Sequence, residues 1–401
     1  MPASEQGLAA SKIDWFFLLA MAALVLIGAI MMLSSSAVVG FTSFNDSYYY
    51  VKKHLLYLAM GSVAFLVGIR VHHSLYKKWA LQGLALASFL ILLTIIPGIG
   101  QKMGGANRWL NLGFFQFQPS ELAKFFIVVF LAVSLERKQR YLKNFAKGVM
   151  PILAVIAVPA LILALQPDLG NVILIMGVTL TLLLLSETKM GQFTLLGGLA
   201  GLVVVVNVLI HPYQMDRVKS FIDPWRDPAG KNYHIIQSFI AIGSGGFMGQ
   251  GLGQSKLKYF YLPLQYSDFI FSIICEEGGF VLGAFVILLF AVLFHRGFHI
   301  ARRANNRFSA YLAMGLTLLL VYQAYINIAV VIGVFPVKGI PLTFISFGGT
   351  SLIVSMFASG VILNISKNQG ELPARTPRSK PAADAEPTPF VLRRDYDNRP
   401  T

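Results

Sequence analysis

The stretch that decides the fold is IDWFFLLAMAALVLIGAIMMLS, residues 13–34. Asp14 is its single ionisable residue, and everything after it is apolar or small. About 20 such residues, rising 1.5 Å each as a helix, cross the ~30 Å hydrocarbon core of a bilayer. The run is too long for the core of a signal peptide and lacks an obvious cleavage site, so it is expected to stay as a membrane anchor.

Working outward, the same signature recurs at about 54–70, 79–97, 119–135, 148–165, 169–186, 190–210, 267–294, 308–334 and 344–365. Over 401 residues the chain is 56% hydrophobic and only 13% charged, against about 25% charged in soluble domains. The expected fold is therefore an all-α polytopic membrane protein of about ten transmembrane helices. Ten spans put both termini on one side. With the N-terminus inside, the inner segments hold 21 Lys and Arg and the outer segments 11, which predicts cytoplasmic termini. The net charge of +15 then reflects topology and attraction to anionic lipid. Nucleic-acid binding is excluded, because no basic, aromatic-studded soluble domain is present to do it.

Three parts follow: a cytoplasmic N-terminus over 1–12, a membrane domain over 13–366, and a tail over 367–401. The tail carries six prolines and mixed charge, the composition of a disordered cytoplasmic segment. Between the seventh and eighth spans lies a large extracytoplasmic loop, 211–266, too long for a passive connection. Its apolar piece at 235–242 is too short to span, and predicts a re-entrant or interfacial element folded back onto the bundle. The glycines that follow, from Gly243 to Gly253, permit tight turns; with no strand before them and no βαβ unit after, they are not a nucleotide loop. No internal repeat is evident, which disfavours inverted-repeat transporters. Cys275 is the one cysteine and falls inside a span, so neither an internal disulfide nor a thiolate metal site is available. His72 and His73 sit at a membrane edge and are read as interfacial.

The chemistry concentrates in YLPLQYSDFIFSIICEEGG, residues 261–279, where a span begins yet carries Asp268, Glu276 and Glu277. Each carboxylate costs roughly 2.5–3.5 kcal/mol at the centre of a bilayer helix. Asp268 is either an acid stabilising the first helical turn or a general base in a wet cavity. Glu276 lies about 80° around the helix from it and Glu277 about 180° away, so the three cannot share one cavity. Glu277 is expected to pair with a basic group on another span.

Elsewhere, QPSELAKFF at 118–126 sets Glu121 and Lys124 three apart, where they either neutralise one another or serve a site. QPDLGN at 166–171 places Asp168 as a helix cap. GANRWLNLG at 105–113 offers Arg108 and Trp109, and PVKGIPLTFISFGGTS at 336–351 offers Lys338 and Ser346. With Arg217, Lys256 and Lys258 from the long loop, these gather on or just within the outer face. Such a set suits a sugar carried on a lipid diphosphate. A diphosphate departs without protonation, so one carboxylate to deprotonate an attacking hydroxyl suffices, while Arg, Lys or a divalent ion steadies the departing charge.

These motifs resemble the SEDS family of peptidoglycan polymerases, the FtsW/RodA/SpoVE type; they occur in order over about 250 residues, and include DPWRDPAGKNYHIIQSFIAIGSGGFMGQGLGQS at 223–255. Small differences in LGQSKLKYFYLP and PVKGIPLTFISFGG place it closer to the FtsW and sporulation branch than to RodA. The resemblance implies a peptidoglycan glycosyltransferase of the bacterial cytoplasmic membrane, at the division septum, joining lipid II into glycan strands on the outer face. Its implied partners are a class B penicillin-binding protein transpeptidase and other division-complex membrane proteins. Within it, Asp268 matches the essential aspartate proposed to deprotonate the acceptor 4-hydroxyl, and Glu276 a second sensitive acid. Arg108, Glu121, Lys124, Arg217, Lys256, Lys258, Lys338 and Ser346 are the candidates for holding substrate. No cofactor is required by this reading; a divalent cation, magnesium or manganese, stays open. The chain departs from the family at Leu264 and Tyr266, where Glu and His are usual. A lipid II flippase, a side-wall elongation polymerase and a division scaffold are the rival expectations.

Overall fold

Asp14 begins the first helix as an N-cap, its carboxylate accepting from the Phe17 N–H at 3.0 Å and so satisfying one of the four donors a helix start leaves open. Helix α1 (Trp15–Phe44) runs ten residues beyond the predicted end at 34. In the extension Ser35 and Ser36 are buried in the bundle, and the Ser36 hydroxyl is satisfied by the Met32 carbonyl at 2.7 Å. The computed structural model describes residues 13–369 apart from 104, 105, 112, 114, 167, 187, 211, 231, 260 and 338. Residues 1–12, nearly all of the predicted tail, and Lys338 thus lie outside the described residues.

The remaining long helices are α2 (Tyr49–Arg70), α3 (Ser74–Ile95), α4 (Pro119–Arg137), α5 (Met150–Leu165), α6 (Leu169–Leu184) and α7 (Met190–Ile210). After the long loop come α10 (Ile270–Arg302), α11 (Arg307–Val331) and α12 (Gly349–Lys367). Eight of the described helices are long and apolar enough to cross a membrane, the α5 span beginning at Phe145 with a π-helical turn. The predicted spans at 119–135 and 169–186 are helical too, but α6 is shorter and α4 carries Glu121, Lys124, Glu136 and Arg137. One antiparallel sheet departs from the all-α expectation: β1 (Gly100–Met103), β2 (Ala106–Asn111) and β3 (Gln116–Phe117), in that order between α3 and α4.

Packing between spans relies on small residues, since lipid removes the hydrophobic drive between helices. Along the α2–α12 pair, a Cβ at Gly360 would lie 2.4 Å from the Phe65 carbonyl oxygen, and one at Gly68 2.6 Å from that of Phe357. Helices α11 and α12 are enclosed on most sides, whereas α7 buries only Leu196 among its described residues. At the end away from the long loop, Arg296 of α10 holds Asp14 through two nitrogens, the shorter contact 2.6 Å.

The long loop is more ordered than predicted. It forms α8 (Pro212–Ile222), a 3₁₀ turn at Pro224–Arg226, and α9 (Tyr233–Gly245). As expected of an element folded back, α9 docks on the bundle: Ser238 donates to the Val331 carbonyl at 2.8 Å and meets the Ser272 hydroxyl at 2.7 Å. The glycine turn after it enters a kink in α10, where Gly279 has φ 67° and ψ −168°. The interrupted carbonyls are satisfied from that turn, Gln250 N–H donating to Glu276 O at 2.9 Å and Gly251 N–H to Glu277 O at 3.0 Å.

Candidate active site

Five connections, α1–α2, α3–α4, α5–α6, α7–α10 and α11–α12, meet around one cavity of about 420 Å³. They all belong to the end of the bundle predicted to be outer. Asp268 lies in its wall, with Arg108, Asp168 and Arg217.

The segment bearing Asp268 is held by three successive backbone carbonyls. Tyr266 O accepts from the Phe347 N–H at 2.9 Å, Ser267 O from the Ser346 hydroxyl at 2.6 Å, and Asp268 O from Asn327 Nδ2 at 2.8 Å. Asn327 also donates to the Ile340 carbonyl at 2.8 Å, so α11 and the 340–347 segment clamp the same backbone. A carboxylate carried on such a rigid support keeps its position without help from ligand. The capping role considered for it is absent: Phe269 occupies the N-cap of α10, and no side chain caps that turn.

Asp268 is partly open to the cavity, and the surrounding protein still pushes its carboxyl up to about 6, with the Arg217 and Arg108 charges pulling back. Burial disfavours the charged form and neighbouring cations favour it; here burial wins. Each arginine is itself engaged. Arg108 Nε lies 3.8 Å from Asp168 Oδ2, and Arg217 donates to the Val337 carbonyl. Asp168 stands at the N-cap of α6 but, contrary to expectation, its side chain does not cap; it accepts from Asn171 at 2.8 Å and faces Arg108. The Asn171 amide holds this carboxylate, with the Arg108 charge 3.8 Å away.

The other predicted residues sit elsewhere. Glu121 and Lys124 pair with each other at 2.8 Å, both buried, and Lys124 also donates to Gln323 Oε1 at 2.7 Å. Gln323 continues to the Pro341 carbonyl at 3.2 Å, and Pro341 lines the cavity, so this pair backs the wall from behind. Ser346 is buried, spending its hydroxyl on Ser267 O and the Leu342 N–H. Glu276 accepts from the Ser255 hydroxyl and, at 2.9 Å, from the Lys256 N–H, facing the glycine turn rather than the cavity. Glu277 takes Lys258 at 3.2 Å and Ser34 at 2.6 Å; its basic partner comes from the loop and not from another span. The Lys256 side chain is exposed and outside the cavity wall.

Among the described residues, no group of three His, Cys, Asp or Glu side chains could hold a metal ion. Asp168 and Asp268 each have an arginine close by, and two carboxylates so placed do not build a cation site from protein alone. Of the aromatic side of the cavity, the sequence singles out only Tyr266, as a departure from the family pattern. Tyr50 and Tyr266 meet across 216 residues, their hydroxyls 3.3 Å apart. The run SYYYV at 47–51 is the visible signal for Tyr50.

Comparison with known proteins bears on this arrangement. Residues 14–371 match the family model described as "Cell cycle protein", FtsW/RodA/SpoVE. The chain belongs to the FtsW/RodA/SpoVE family. Relatives in this family include the "Probable peptidoglycan glycosyltransferase FtsW" of Trichlorobacter lovleyi, 39% identical over 89% of this chain and 93% of that protein. "Stage V sporulation protein E" of Bacillus subtilis is 39% identical over 86% and 94%. Among solved structures, a chain described under structural coordination of polymerization and crosslinking by a peptidoglycan synthase complex superposes with TM-score 0.73 at 27% identity, covering 89% of this chain and 98% of that one. The RodA rod shape determining protein of Thermus thermophilus gives TM-score 0.66 at 24% identity, over 89% and 98%, a likeness of fold. As an FtsW/RodA/SpoVE protein with these apolar helices, the chain is a multi-pass membrane protein.

Proposed function

We propose that this FtsW/RodA/SpoVE protein is a peptidoglycan glycosyltransferase that polymerises lipid II on the outer face of the cytoplasmic membrane during cell division, with Asp268 as general base. The names of its FtsW relatives support the reaction class. The observation that carries the residue assignment is the Asp268 carboxylate in the wall of a cavity that also presents Arg108 and Arg217; burial there raises the carboxyl above its ordinary range.

In this reaction the acceptor 4-hydroxyl oxygen attacks the anomeric carbon of the donor sugar. A glycosidic C–O bond forms, the bond to the diphosphate oxygen breaks, and the hydroxyl proton passes to Asp268. The diphosphate takes the bonding electrons, and the two arginines meet the charge it gains. A base with pKa near 6 is ionised at neutral pH yet still basic enough to accept that proton. No second carboxylic acid is needed, because the leaving group is already a stable anion.

The transpeptidase partner belongs to the same proposal: a class B penicillin-binding protein crosslinks the strands as they emerge. Both termini then lie in the cytoplasm, by the loop-charge argument. Purified protein with its partner is expected to polymerise lipid II, and Asp268→Asn to abolish this while keeping fold and partner binding. Unchanged polymerisation by that variant would overturn the base assignment; lipid flipping in proteoliposomes without polymerisation would favour transport. A fluorescent fusion at the side wall instead of the septum would move the duty from division to elongation.

A further inference from the structure

The cavity wall carries two unlike sets of side chains beside Asp268. One set is cationic or amide-bearing: Lys53, Arg108, Arg217, Gln118 and Gln214. The other is aromatic. Tyr50 and Tyr266 lie 4.5 Å apart between ring centroids at 33°, and Phe347 meets them edge-on at 5.4 and 5.9 Å. All three rings line the cavity. Phe347 is tied to Tyr266 a second time through the backbone bond at 2.9 Å, so the wall is a fixed surface. Tyr266 is two residues before Asp268 and within its electrostatic reach, as are Arg108 and Arg217.

Rings that only fill a core have no use for hydroxyls; these two carry them at a cavity wall, bonded to each other. A pyranose ring offers a face of C–H groups and an edge of hydroxyls. The negative face of an aromatic ring attracts the first, and phenolic oxygens bond the second. A diphosphate, by contrast, gains nothing from rings and is drawn to the guanidinium groups. Resting on the glycosyltransferase reading, we propose that Tyr50, Tyr266 and Phe347 form the platform for the acceptor saccharide, which lies on the rings with its reactive hydroxyl turned to Asp268, while the donor diphosphate meets Arg108 and Arg217. Tyr266 is thereby a specificity-determining residue for the acceptor.

The test separates the two sugars. A lipid diphosphate disaccharide with its 4-hydroxyl capped can only donate; an alkyl glycoside of the same disaccharide, lacking diphosphate, can only accept. With the full-length protein in complex with its partner, Tyr50→Leu and Tyr266→Leu are expected to raise the acceptor KM by about tenfold and to leave the donor KM within about twofold. Tyr266→Phe, which keeps the ring and loses the hydroxyl, is expected to give a smaller rise in acceptor KM alone. Equal rises in both constants, or an unchanged acceptor KM in both leucine variants, overturn the proposal.

Should the leucine variants fail to fold, binding decides it. The glycoside is titrated calorimetrically into Asp268→Asn protein, with and without Tyr50→Phe or Tyr266→Phe. Binding that weakens with loss of either hydroxyl supports the platform; no binding, or binding indifferent to both, overturns it. Coupling that survives Asp268→Asn would instead sink the general-base assignment and leave the platform standing on its binding data.

Discussion

Gly339 leaves the carboxylate of Asp268 its space: a methyl group added at that glycine would sit 3.2 Å from Asp268 Oδ2. The connection that clamps the Asp268 backbone thus also passes beside its carboxylate. Gly339→Ala is therefore expected to shift the carboxylate by a few tenths of an ångström and lower turnover by up to about tenfold, less than the cost of a full ångström of misplacement. Thermal unfolding in detergent should change little, because the cavity beside it can take up the methyl group. Unchanged turnover in a lipid II polymerisation assay would remove Gly339 from the site.

Activity should follow the ionisation of Asp268. The carboxyl is raised from an ordinary 3.8 to about 6 by burial, with Arg217 and Arg108 opposing, and only the deprotonated form can take a proton. Turnover is expected to fall as pH drops through about 6. Arg217→Gln removes a charge that lowers this value, so its acid limb should lie at higher pH. A limb that stays in place would show that another group titrates.

The same shift has a stability side with a definite sign. An acid raised on folding is penalised when ionised: the penalty is absent below the unfolded value near 4, grows between about 4 and 6, and is full above 6. Asp268→Asn should thus melt at a higher temperature than the unaltered protein at pH 8 and at the same temperature at pH 4. A lower melting temperature at pH 8 would contradict this.

Beneath the glycine turn, Glu277 and Lys258 form a buried pair 3.2 Å apart. Removing one member strands the other charge, so Lys258→Met should destabilise by about 3–5 kcal/mol. Adding Glu277→Gln should recover most of the loss. Chemical denaturation of the single and double variants measures the coupling, and additive losses would show that the two do not act as a pair.

The kink in α10 depends on the absence of a side chain. A Cβ at Gly279 would lie 2.3 Å from Gly249 N, and its φ of 67° disfavours any other residue. Gly279→Ala is expected to lose the folded protein from a size-exclusion profile, or to destabilise it by more than about 4 kcal/mol. Normal folding of that variant would mean that the glycine turn can leave the kink.

Residues 13–34 and the runs like them settled class and approximate helix positions from sequence alone, because crossing a bilayer is a local demand on length and apolarity. The Glu121–Lys124 pair was legible as one of two options for the same reason, since three residues apart on a helix is a short-range relationship. The family motifs pointed to Asp268 by resemblance. None of this reached the cavity itself. Tyr50 and Tyr266 are 216 residues apart, Arg108 and Asp168 approach from different connections, and Glu276 turned from the site to a glycine loop. Those outcomes depend on how helices register against one another, which close packing at residues such as Gly68 and Gly360 decides and no periodicity along the chain encodes.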